Sequence, residues 1–588
     1  MAEIRIDSRE NLLKALRATG AYLPAICGGR GSCGKCAVRV ISGSVPVSDS
    51  DRARFSPAEL EDGWRLACAA FPVSEIVVEI PESGERQFSA VSGFAETKTE
   101  INANAAQWGE EFVLKKNPAS FARQVTGAAG GGETKRELAL AELNEVSKLA
   151  HAQGEIYKSA AQTDNFYIYR DRGKIIHIGG KTDPLYGVAV DIGTTTLGFA
   201  LVELRTGKIA ARCSSVNRQR EMGGDVISRI QSANNGNLLA LSGIARAQID
   251  EGIAALCAEA GTRSRDIYKL AITGNTTMLH LLLNLSCHTL GQAPFTPVTL
   301  DMVFARYGEI FSGDLSCEVA ILPGISTYVG ADITAGLFFT GLREHKAPAV
   351  LVDIGTNGEM ALAYNGKILC TATAAGPAFE GGNILWGTGS VPGAISGVRF
   401  HNGAFETRTI GDKPPAGICG TGVIDTVYEG LRAGLILPSG RFTKTEPPNE
   451  LFLAKNQDGR DIVFCQKDIR ELQLAKSAIR SGLDALLNHA GLGYNDIHTL
   501  YIAGGFGFNL NMESAAGVGL IPAPLVPKTN LAGNCALGGA VKYLLNGRVS
   551  AYDETLREIV ECAEEFNLPD DKYFNEHFID NINFDNWE

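Results

Sequence analysis

No run of about 18 uninterrupted apolar residues occurs in the 588 positions, so no helix of this chain is expected to cross a membrane. The opening stretch, MAEIRIDSRENLLKALRATG, is charged and amphipathic and lacks the apolar core of a secretory signal. The chain is therefore expected in the cytoplasm. Positive charge is in deficit: Lys and Arg total 54 against 66 Asp and Glu, a formal net charge of −12. With no long basic run to offset that balance, a nucleic-acid partner is not expected. A Walker loop, GxxxxGK followed by Ser or Thr, is also missing, so a nucleotide would have to be held by other means. A hydrophobic content of 45% excludes disorder.

What is present is length, glycine and cysteine. At roughly 150 residues per domain the chain has room for about three or four domains. Its 67 glycines gather in short runs, which suggests backbone lying close to ligands. Thirteen cysteines in a reducing compartment do not make a disulfide framework. Nine of them (Cys213, Cys257, Cys287, Cys317, Cys370, Cys419, Cys465, Cys535 and Cys562) stand singly, mostly in apolar company, and read as buried thiols.

The other four are grouped. Cys27, Cys33 and Cys36 lie on the loop CGGRGSCGKC, and Cys68 follows after 31 residues, a C-x5-C-x2-C…C layout. Four thiolates can also hold zinc, and that alternative stays open, although zinc sites usually pair two C-x2-C knuckles and only one is present. Three cysteines on one Gly-rich loop with a distant fourth fit a [2Fe–2S] cluster. Gly28, Gly29, Gly31 and Gly34 let such a loop wrap a cluster and turn N–H groups toward its sulfides. Strand-like alternation at 3–7, 36–42 and 75–80 and helical spacing of Leu12, Leu13 and Leu16 complete the segment. Residues 1–86 resemble a plant-type ferredoxin domain. The first gap is five residues instead of four, the spacing of the adrenodoxin-like branch.

Residues 87–183 carry a weaker pattern. Gly127–Gly132 reads as a break, 135–160 has helical periodicity, and 166–178 reads as a hairpin turning at 170–173. A linker and a small α+β domain are expected there, with His151 and His177 structural.

From about 184 the chain repeats itself. Residues 188–200 read VAVDIGTTTLGFA and residues 350–362 read VLVDIGTNGEMAL, with six identities in register. Each copy predicts a strand, a D-x-G-T turn and a second strand. Such turns offer N–H and hydroxyl donors to phosphate oxygens, with an aspartate at the mouth to hold hydrated Mg2+. The segments 270–277 (LAITGNTT) and 500–507 (LYIAGGFG) are both apolar strands entering a glycine turn, the second having the form of an adenosine-binding turn. In this order they resemble the superfamily of acetate and sugar kinases, heat-shock chaperones and actin. The expected fold is multidomain α/β: a β-grasp ferredoxin, a small α+β domain at 87–183, and a duplicated actin-like ATPase at 184–588 whose second half begins near 348.

A ferredoxin ahead of an actin-like ATPase resembles the reductive activators of corrinoid-dependent enzymes, as do the stretches 216–219 (VNRQ), 223–229 (GGDVISR), 273–277 (TGNTT), 375–380 (AGPAFE) and 418–422 (ICGTG). The resemblance implies ATP-driven return of an inactive Co(II) corrinoid to Co(I), with the cluster as electron donor. It implies that Cys27, Cys33, Cys36 and Cys68 hold the cluster. It also implies that Asp191 and Asp353 position Mg2+ and water, that Gly193, Thr194, Thr195, Thr196, Gly355, Thr356 and Asn357 cradle the phosphates, and that Gly504 and Gly505 approach the adenosine. Asp225, Arg229 and Glu380 either shape the cleft or cap turns. The implied partners are the corrinoid protein of a methyltransferase system and an external low-potential electron donor, with a homodimer left open. Cys535 and Cys562 stand alone, which excludes the subclass with two C-terminal [4Fe–4S] clusters. Rival readings are an activator like those of 2-hydroxyacyl-CoA dehydratases, a small-molecule kinase with a fused ferredoxin, and an actin-like scaffold.

Overall fold

The computed structural model describes residues 2–19, 23, 31, 36–80, 109–113, 165–171, 174–179, 183–443, 449–505, 509–545 and 551–584. Alternating side chains build the first sheet. In Ile76–Ile80 every second residue faces inward, as a half-buried strand requires. It pairs antiparallel with Ala2–Ile6 on one side and Ala37–Ser42 on the other, and Trp64–Leu66 forms the far edge. Leu12, Leu13 and Leu16 of the helix Leu12–Ala18 drop into the same core, whose members all fall between residues 6 and 80.

The hairpin expected at 166–178 is present as Asn165–Asp171 paired with Lys174–Gly179. A third strand, Gly109–Val113, joins it from a stretch that alternation did not mark. The 127–132 break, the 135–160 helix and His151 lie outside the described residues.

Two six-stranded sheets follow, and their centres are built alike. In the first, Tyr186–Ile192 and Thr196–Glu203 form a hairpin that continues antiparallel into Ile209–Val216. On its other side Tyr186–Ile192 is flanked by the parallel strand Ile267–Gly274. In the second, Ala349–Ile354, Gly358–Tyr364 and Lys367–Thr373 form the same meander, with Thr499–Ala503 as the parallel neighbour. The equivalence reaches single atoms. Gly274 (φ +156°) and Gly504 (φ +111°) each leave the parallel strand beside the turn. A Cβ at Gly274 would lie 2.7 Å from the Ile192 carbonyl oxygen, and one at Gly504 would lie 2.2 Å from that of Ile354. Only glycine fits either position.

The halves are bound by two helices with glycine and alanine at their contact, Ala331–Thr340 and Cys535–Leu544. A Cβ on Gly539 would sit 2.2 Å from the Ala335 carbonyl oxygen, and one on Gly336 would sit 3.4 Å from Cys535 Cβ, so glycines allow the helices to touch backbone to backbone. Leu537 and Leu544 of the second helix reach back to Gly198 and Gly187 of the first sheet. That packing brings the start of a late helix to the early turn. Among the described residues, no helix is long and apolar enough to cross a membrane.

Candidate functional site

Cys36 and Cys68 are brought together by the edge of the first sheet. Ala37 pairs with Leu66, and one step beyond that ladder the Ala67 N–H donates to the Cys36 carbonyl at 2.9 Å. The chain then makes a single helical turn, Ala67–Ala69, which swings the Cys68 side chain inward. Asn11 Nδ2 donates to the Cys68 carbonyl (2.8 Å), and buried Asp51 accepts from the Leu66 N–H (2.7 Å), so both sides of this turn are held. The two sulfurs are 3.2 Å apart. That exceeds the ~2.05 Å of a disulfide. It falls about half an ångström inside the ~3.8 Å edge of a tetrahedron with ~2.3 Å metal–sulfur bonds. Two thiols so placed suit one shared metal centre. Cys27 and Cys33 lie outside the described residues.

The second site is the cleft between the two D-x-G-T turns. Each turn closes on its own glycine: Gly193 N–H donates to Thr196 O (3.0 Å) and Gly355 N–H to Asn357 O (2.9 Å). The turns meet. Thr195 Oγ1 and Thr356 Oγ1 are 2.9 Å apart, and both hydroxyls donate to the same oxygen of Glu380, Thr195 at 2.8 Å. Thr194 Oγ1 accepts a hydrogen bond from Asn275 Nδ2 at 3.0 Å. Gly505 has open space where a side chain would stand, as close approach of a ligand requires.

The first turn is fixed from outside the repeat. Asn217 donates from Nδ2 to Gly193 O (2.9 Å) and from its backbone N–H to Thr195 O (2.7 Å). Buried Arg229 donates to Thr194 O (2.6 Å) and Gly223 O (2.9 Å). Burial lowers its pKa to about 9, with Arg220 adding to the effect. Asp225 takes the capping role, bonding the Ser228 N–H (2.7 Å) at the start of Val226–Ser232. Asn534, which no motif marked, caps Cys535–Leu544 through its oxygen and donates from Nδ2 to Asp191 Oδ2 at 2.8 Å. An Asn between a strand ending in glycine and a following helix was the available signal.

Carboxylates dominate the electrostatics. Burial pushes Asp191 up to about 7 and, with Asp332 and Asp191 as neighbours, raises Asp353 well above the ordinary range. Asp332, at the first turn of Ala331–Thr340, and Glu359 are raised by burial as well, Glu359 further by Asp332 and Asp353. Glu380 is raised by burial against the opposing pull of Thr356, Thr195 and Arg229. Like charges desolvated together favour protonation unless a cation joins them, and a bound divalent ion reverses that preference. Among the described residues no three His, Cys, Asp or Glu side chains are already arranged as direct metal ligands. Mg2+ is usually held by one or two carboxylates together with water and phosphate, and Asp191 and Asp353 offer such carboxylates here.

Known proteins match along almost the whole chain. Residues 2–73 match the 2Fe-2S iron-sulfur cluster binding domain, 186–345 the RACo middle region, and 347–588 the C-terminal, ASKHA domain of RACo. A solved structure described as the reductive activator for corrinoid, iron-sulfur protein superposes with a TM-score of 0.72 at 30% identity, covering 98% of this chain and 95% of that one. The chain belongs to the family of corrinoid-protein reductive activators. The corrinoid activation enzyme RamQ of Eubacterium limosum is 28% identical, with 99% of both chains covered. The [Co(II) methylated amine-specific corrinoid protein] reductase of Methanosarcina barkeri is 26% identical over 68% of this chain and 77% of its own. As in this family, the fold joins a [2Fe–2S] ferredoxin domain to an actin-like ATPase, and the cofactors are the cluster, ATP and Mg2+.

Proposed function

We propose that this activator returns the Co(II) corrinoid of a methyl-transferring corrinoid protein to Co(I), drawing electrons from an external low-potential donor in the cytoplasm. The observation that carries the reading is the pairing, on one family-matched chain, of the close Cys36–Cys68 thiols with the Thr195–Glu380–Thr356 cleft. In this reading the working units are 1–86, 87–183 and 184–588. Cys27, Cys33, Cys36 and Cys68 hold the cluster. Asp191 and Asp353 position Mg2+ and water, while Gly193–Thr196 and Gly355–Asn357 hold phosphate and Gly504 and Gly505 border the adenosine.

When bound, the plant-type cluster supplies one electron at about −400 mV. Each ~59 mV of uphill gap to cobalt costs about 1.4 kcal/mol for one electron. A gap of ~100–200 mV thus costs roughly 2–5 kcal/mol, within reach of a conformational change linked to ATP. The two turns come from separate halves bridged by a helix pair and already touch through Thr195 and Thr356, so a phosphate chain entering between them resets the halves against each other.

The test mixes an oxidised corrinoid protein, a low-potential reductant and this chain without oxygen, and follows corrinoid absorbance. Co(I) should form only with ATP, and ATP turnover should rise when Co(II) protein is added. Equal reduction without ATP, or a phosphorylated small-molecule product, would refute the proposal.

A separate expectation concerns the cluster. Cys68→Ser should bleach the visible absorbance and lower iron below about two per chain, because an alcohol replaces one of four thiolates. Iron analysis and anaerobic spectra check this. Stoichiometric zinc in the wild-type protein would overturn it.

A further inference from the structure

Three oxygens from distant parts of the chain, those of Thr195, Thr356 and Glu380, meet at one point between the two halves. The turn that presents Glu380 is fixed. Gly376 N–H donates to Thr356 O at 2.9 Å, and a Cβ on Gly381 (φ +76°) would lie 2.3 Å from Thr388 O. On its far side, a Cβ on Gly420 would lie 2.0 Å from Phe379 O, so the turn rests on the start of helix Gly420–Arg432. The carboxylate thus occupies a built position between the phosphate-binding turns.

A carboxylate and a phosphate make the same demand on a hydroxyl. Each accepts hydrogen bonds, each is anionic, and a threonine has one hydroxyl hydrogen to give. They cannot both hold Thr195 and Thr356. We propose that Glu380 is an internal placeholder for the terminal phosphate of ATP: it ties the two turns together in the nucleotide-free chain and is displaced when that phosphate takes over their hydroxyls. Glu380 is then a positioning residue, and its release transmits phosphate occupancy to the 377–381 turn and the helix behind it. The inference rests on the cleft being the nucleotide site.

The test compares binding of a non-hydrolysable ATP analogue, ADP and adenosine, with Mg2+ present, to the full-length protein and its Glu380→Gln variant. The amide keeps the size but removes the competing charge. Affinity for the ATP analogue should rise about tenfold, the effect of relieving one like-charge contact. The gain should be smaller for ADP and absent for adenosine. Unchanged or weaker binding of the analogue would overturn the proposal, as would equal gains for all three ligands. Hydrogen exchange on the wild type gives an independent reading. The analogue should protect amides of 193–196 and 355–357 while exposing those of 377–381, and protection at all three would also overturn it. If the wild type bound none of the three ligands, the nucleotide-site reading itself would fall, a different result from either.

Discussion

Asp353→Asn should lower ATP turnover by on the order of 10³-fold while leaving the iron–sulfur absorbance unchanged. Asp353 is the penultimate residue of the strand Ala349–Ile354, beside Ala503 on one neighbour and Glu359 on the other. The amide has nearly the same shape, so the backbone ladder and the Gly504 contact survive. What disappears is one negative charge from a set tuned by burial and by mutual repulsion. A carboxylate whose folded pKa is raised lowers stability as pH climbs above its unfolded value, near 3.8. At neutral pH the neutral amide should therefore hold or raise the thermal midpoint. Lost turnover would then reflect lost Mg2+ and water positioning, not unfolding. Turnover, the visible spectrum and thermal unfolding measured together decide the matter. Turnover within tenfold of wild type would remove Asp353 from the chemistry, and a lost spectrum would show that the two sites are not separate.

The features that could be read from the sequence are those made of neighbours along the chain. Both D-x-G-T turns are contiguous, and their duplication marks the two matching hairpins, though not the third strands, Ile209–Val216 and Lys367–Thr373, that extend them into meanders. The glycine-ending strands were visible for a similar reason. The structure adds why glycine is needed, since Gly274 and Gly504 press against equivalent carbonyls. For Gly504 this gives a packing reason beside the proposed adenosine one. Three of the four cysteines are likewise close in sequence, and Cys36 meets the distant Cys68 because the Ala37–Leu66 ladder register requires it.

What escaped was assembled across distance. Asn534 reaches Asp191 from 343 positions away, carried there by a helix whose glycines let it cross Ala331–Thr340. Asp332 starts the partner helix, and nothing beside it in the sequence ties it to Asp353. Glu359 left one trace: the second copy has an acid where the first has Leu197. A repeat is informative where its copies differ, because a charge within an otherwise apolar strand needs a reason to be there. The strand Gly109–Val113 escaped for the opposite cause, being short and without a marked apolar period.

Removing residues 1–86 should abolish Co(I) formation from any donor that relies on the cluster, yet leave ATP turnover and association with the corrinoid protein near wild-type levels. The apolar core of the N-terminal sheet draws every member from residues 6–80, and neither core of the large halves includes any of them. Among the described residues the removed segment shares no apolar core member with the large halves, so the remainder should fold. The cleft, its threonines and its carboxylates all lie beyond residue 184 and remain intact. An electron, however, needs a relay between the external donor and cobalt, and the proposed cluster ligands Cys27, Cys33, Cys36 and Cys68 all lie in the removed segment. ATP can shift the cobalt couple without supplying the electron. The measurement is anaerobic corrinoid absorbance with ATP, donor and either protein, alongside phosphate release and co-sedimentation with the corrinoid partner. If the shortened protein regenerates Co(I) at the full-length rate, the ferredoxin domain is not the donor. If it loses ATP turnover instead, the two machines are coupled more tightly than their separate cores imply.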